Sequence, residues 1–133
     1  MNLHVFAAAL IAALLFGCVS HEGTYSPDCI AYEGSNIEFS DGQFIWEKFT
    51  DQVIVDDDGE VVNQFPGYPM RGTYRIDGQI VYMQPDTGES MEHMYLHRRD
   101  NRYYLLTAEQ FEAWENNSEY GDCALMLGAN PND

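Results

Sequence analysis

The chain has 133 residues, 45% of them apolar and 14% aromatic, and 22 acidic against 6 basic side chains give a formal net charge of −16. The apolar and aromatic content excludes a chain that remains disordered. A surface this negative, with no basic stripe, excludes nucleic-acid binding as a default role, and the length suits one domain.

Residues Val5 to Phe16 are twelve consecutive apolar side chains. As a helix they would extend about 18 Å against a hydrocarbon core of about 30 Å, so the segment is too short to span a bilayer and has the length of a secretory h-region. The last two residues of this run open the motif Leu15-Phe16-Gly17-Cys18. This motif resembles the lipobox of bacterial lipoproteins, with Leu at −3, a small residue at −1 and Cys at +1. The resemblance implies a signal peptide over residues 1–17, acylation with palmitate-type chains at Cys18, and membrane attachment through that thiol. Residues 18–28 then form the lipid anchor and tether, and residues 29–133 a single β domain. Val19 stands at +2, where Asp would retain the protein in the inner membrane, so the resemblance places it on the outer membrane facing the periplasm. A cut after Ser20, with Cys18 and Ser20 as the small −3 and −1 residues of an ordinary signal peptide, is the rival reading of the same stretch.

With Cys18 acylated or removed, Cys29 and Cys123 remain and allow one pairing. A disulfide between them suits an oxidising compartment and ties the two ends of the domain together.

From Asn36 onward turn signals recur at short spacing. Asp41-Gly42, Asp58-Gly59 and Asp77-Gly78 are Asp-Gly dipeptides between β-branched and aromatic residues, a strong hairpin signal. Ile37 and Phe39 are expected to pair with Phe44 to Phe49, Val53 to Val55 with Val61 and Val62, and Thr73 to Ile76 with Ile80 to Met83. Thr87-Gly88 leads into a strand over Met91 to His97, and Asp100-Asn101 turns it into Arg102 to Leu106, with a last strand at Ala124 to Leu127. The fold expected is mainly β: an antiparallel meander of about eight short strands curled into a small barrel or sandwich, which removes exposed edges. One short C-terminal helix interrupts it. Thr107 caps, Gln110 completes a capping box, Leu106 staples to Phe111, and Phe111 with Trp114 forms an apolar stripe expected to cover one end of the sheet.

Few residues suggest chemistry. His93 and His97, near Met83, Met91 and Met94, could indicate a copper or zinc site, but on a strand residues four apart lie about 13 Å from each other, too far for one ion. Either could join a ligand from a neighbouring strand; rim histidines are the simpler reading, and no metal is assigned. Asp56-Asp57-Asp58-Gly59-Glu60 resembles a calcium loop only superficially: with Gly59 at the sixth position, Ile54 and Phe65 would stand where ligands belong. Arg98, Arg99 and Arg102 concentrate half of the six basic residues at one hairpin tip, a candidate contact for an anion or a partner. No nucleophile elbow, zinc-protease motif or phosphate loop is present, so no catalytic residue, cofactor or enzymatic activity is assigned.

Two functions from different classes follow. The first is a lipid-anchored interaction or accessory module of the cell envelope, whose charge steers it to a basic envelope protein. The alternative is a lipocalin-like binder of a small apolar ligand in the periplasm, for which the nine Tyr, seven Phe and two Trp provide lining.

Overall fold

The computed structural model describes residues 20–121 and 123–128. The lipobox and Cys18 lie outside the described residues. Eight strands run β1 (Gly23–Pro27), β2 (Glu33–Ser40), β3 (Gln43–Thr50), β4 (Met70–Asp77), β5 (Ile80–Pro85), β6 (Met94–Arg99), β7 (Arg102–Leu106) and β8 (Leu125–Leu127), with one helix, α1 (Ala108–Asn117), before the last. Every strand pairs antiparallel with its sequence neighbour, and β1 pairs with β8 to close the barrel.

The turn chemistry accounts for the register. Asp41 and Gly42 both have positive φ, as do Asp100 and Asn101, so each makes a two-residue turn whose twist suits the flanking strands. The third turn centres one residue later than the dipeptide suggests, on Gly78 and Gln79, because Asp77 still pairs with Ile80. Registers such as Phe39↔Phe44 and Tyr74↔Met83 put one residue in two on the inside. Tyr25, Ile37, Phe39, Phe44, Val81, Met83, Met94 and Leu105 form that interior, all of them buried. Gly72 sits among them with an ordinary φ, and space rather than conformation requires it. A Cβ there would run into the backbone carbonyl of Gln84 and the ring of Phe44.

A second cluster lies outside the barrel. Leu106, Tyr120 and Ala124 are buried against Tyr95, Tyr104, Phe111 and Trp114. Leu105 faces inward and Leu106 outward, so α1 packs on the outer flank of β6 and β7. This corrects the expectation of a helix covering one end: Phe111 stacks on Tyr95 at 4.4 Å and 3° between planes, on an outward-facing residue. The capping box forms as expected, with Thr107 Oγ1 accepting from Gln110 N and Gln110 Oε1 accepting from Thr107 N.

Three further boundaries differ from expectation. Residues 23–27, read as tether, are the closing strand β1, with Tyr25 fully buried and hydrogen-bonded partners on both sides. The domain therefore begins before Cys29. Val53 to Val62 make no barrel strand: a single bridge, Val55↔Val61, forms a flap whose side chains are exposed, Val53 by 72% and Val61 by 73%. β-branched alternation alone creates no strand where no inner face exists to bury it. The sixth strand starts at Met94 rather than Met91, leaving residues 91–93 in the loop.

Candidate functional site: the open mouth of the barrel

The turns after β2, β4 and β6 lie at one end of the barrel, and the loops after β1, β3 and β5 at the other. Residues 20–22 enter at the turn end. There Tyr25 Oη donates to the His21 carbonyl at 2.6 Å, His21 Nε2 is 3.2 Å from Tyr74 Oη, and Asp41 N donates to Glu22 Oε1 at 3.0 Å. The rings of Tyr25, Phe39 and Tyr74 pack in sequence, with centroids 5.6 and 4.5 Å apart, and fill this end. Burial pushes the Tyr25 phenol well above its usual range, and burial together with Glu22 raises that of Tyr74.

The loop end is open. A cavity of about 510 Å³ lies there, within the range of about 300–1,000 Å³ usual for small-molecule sites. Trp46, Met70, Met94 and Leu125, all from inward-facing strand positions, make its apolar lining. Its polar side comes from Glu33 and Ser35 on β2, from the 89–93 loop, and from Thr107 and Gln110 at the start of α1. The disulfide between Cys29 and Cys123 forms as expected, and Cys123 borders the cavity, so the cross-link fixes the first loop to the last strand's approach at this rim. Trp46 Nε1 is buried without a hydrogen-bond partner among the described residues.

The residues singled out in the sequence are dispersed. His93 is exposed at the cavity rim, its Nε2 3.2 Å from Tyr95 Oη. His97 lies on the outer flank beneath α1, between Phe111, Trp114 and Tyr120. Among the described residues no three His, Cys, Asp or Glu side chains converge as a metal site would need. Asp56 Oδ1 accepts from the backbone N–H of Asp58 and Glu60, so the acidic tip is a self-capped turn. The three arginines do not share one face. Arg99 pairs with Arg102 on the outer side, whereas Arg98 pairs with Tyr103 on the inner side. Arg99 lies over Trp114 and Tyr120, at 4.8 and 5.5 Å from the ring centroids, and clamps the helix. Arg102 donates to Met126 Sδ, and Arg98 to Asn101 Oδ1.

Sequence reasoning missed the mouth. Its residues come from six strands, three loops and a helix end, so no local pattern in the chain marks it; the nearest signal was the excess of aromatic residues. No helix among the described residues is long and apolar enough to cross a membrane. Comparison of the chain with protein-family models, curated proteins and solved structures finds no match in any of the three.

Proposed function

We propose that the protein is a lipid-anchored binding module of the bacterial cell envelope that takes a small amphipathic molecule into the mouth of its barrel. The observation that carries this is the 510 Å³ cavity at the end opposite the entry of residues 20–22. Barrels of eight strands are narrow enough to be filled by their own side chains, and here the turn end is filled while the loop end is not. With an acylated Cys18 two residues before the first described residue, the filled end would face the membrane and the open end the periplasm. The reading predicts saturable binding of a neutral fluorescent polyene such as diphenylhexatriene, and its loss in Ser35→Trp, which fills the cavity from β2. Absent binding, or binding that Ser35→Trp leaves intact, would refute it. Palmitate labelling abolished by Cys18→Ser tests the anchor separately.

A second reading, an interaction module, rests on the flap. Val53, Ile54, Val55, Val61 and Val62 are exposed among Asp51, Asp56, Asp57, Asp58 and Glu60, with no basic residue between positions 51 and 70. Apolar contact ringed by carboxylates suits a basic envelope protein, whose association would weaken with added salt. Crosslinking from a photoreactive residue at position 53 in intact cells, insensitive to ionic strength, would count against it.

A further inference from the structure

We propose that the ligand of the mouth is an organic cation, an amine or quaternary ammonium carrying an apolar body; this rests on the small-ligand reading above and names its chemistry. Three carboxylates, Glu33, Glu89 and Glu92, border the cavity, and none has an ion-pair partner among the described residues. No Lys or Arg lines it. The apolar lining is of the kind that receives a cation's body: an aromatic pair, Trp46 and Tyr68, set edge to face at 5.9 Å, and the methionines Met70, Met91 and Met94. Aromatic faces attract ammonium groups through their quadrupole, and flexible thioethers adapt to ligands of varied shape. The same aromatic pair already holds a cation of the protein's own. Lys48 Nζ lies 4.6 Å from the Tyr68 centroid and 5.8 Å from that of Trp46, from outside the cavity lining. The start of α1 at the rim offers no competing anion site, because the Thr107 and Gln110 side chains occupy its capping positions and Glu109 stands in its first turn. An anionic ligand would meet three carboxylates without an ion-pair partner among the described residues and no Lys or Arg in the lining.

The test is calorimetric titration of the purified full chain, at constant ionic strength, with three probes that share one alkyl chain: decyltrimethylammonium, decanol and decanoate, each below its micellar concentration. The ammonium probe is expected to bind most tightly. The combined variant Glu33→Gln, Glu89→Gln, Glu92→Gln should weaken it on the order of tenfold. Glu38→Gln, Asp77→Asn and Asp100→Asn together remove the same formal charge at the filled end and should leave it unchanged, while Lys48→Met should strengthen it. Equal binding of all three probes, indifferent to the mouth carboxylates, would overturn the cation inference and leave the cavity reading standing. Tightest binding of decanoate overturns it as well, as does equal weakening by the two charge variants, which would mean attraction to net charge alone. Failure of every probe to bind would remove both readings.

Discussion

The imidazole of His97 lies against the indole of Trp114 with ring centroids 4.9 Å apart, and its Nδ1 is buried without a hydrogen-bond partner among the described residues. Burial, aided by the Arg99 guanidinium, holds this histidine below its ordinary value of 6.5. Protonation therefore favours the unfolded chain. As pH falls from 6.5 through the lowered folded value, the unfolded state takes up the proton first and stability is lost; above 6.5 both states are neutral and the group is silent. Melting temperatures at about pH 7.5 and 5.5 should fall more for the natural chain than for His97→Phe, which isolates this group from the many carboxylates. Equal falls would show that His97 does not contribute.

The disulfide closes a loop of sequence separation 94. In the chain-entropy model such a cross-link stabilises by roughly 4 to 5 kcal/mol, because it restricts the unfolded chain. The double variant Cys29→Ser, Cys123→Ser should lower the urea midpoint accordingly. It should also weaken probe binding at the mouth, since Cys123 borders the cavity. A midpoint unchanged from the oxidised protein would contradict the first expectation, and undiminished probe binding the second.

Gly72 is fixed by packing between β4, β5 and Phe44. Gly72→Ala gains intrinsic strand preference yet must displace backbone, so overpacking is expected to win and destabilise by about 1–3 kcal/mol. Denaturant unfolding checks this, and a variant as stable as the natural chain would mean that β4 and β5 separate freely.

The flap predicts the opposite outcome for apolar residues. Val53→Ser and Val61→Ser remove exposed β-branched side chains and should each change stability by less than about 0.5 kcal/mol. Ile37→Ala, in the fully buried interior, should cost about 2–5 kcal/mol. Comparable losses at the two places would show that the flap packs on the barrel.

The alternation, the turns and the cap follow from chemistry local to the chain. Asp41-Gly42 and Asp100-Asn101 impose left-handed turn residues whatever surrounds them, and Thr107 with Gln110 starts a helix within one turn of chain. Such signals are local, because the atoms that satisfy one another lie within about four residues. The pairing of Cys29 with Cys123 was legible for a different reason: once the lipobox resemblance sets Cys18 apart, two thiols leave one choice. The rest depends on contacts between residues distant in the chain. Gly23–Pro27 is too short and too polar to read as a strand, and becomes one because β2 and β8 offer open edges on both sides of Tyr25. Val53–Val62 has the stronger strand pattern and stays outside, because the closed barrel gives it no edge or inner face. The mouth exists only where Glu33, Trp46, Met70, Met94 and Leu125 meet, positions up to 92 residues apart in the chain. Their convergence follows from closure of the sheet, which joins the first strand to the last and which no local pattern encodes.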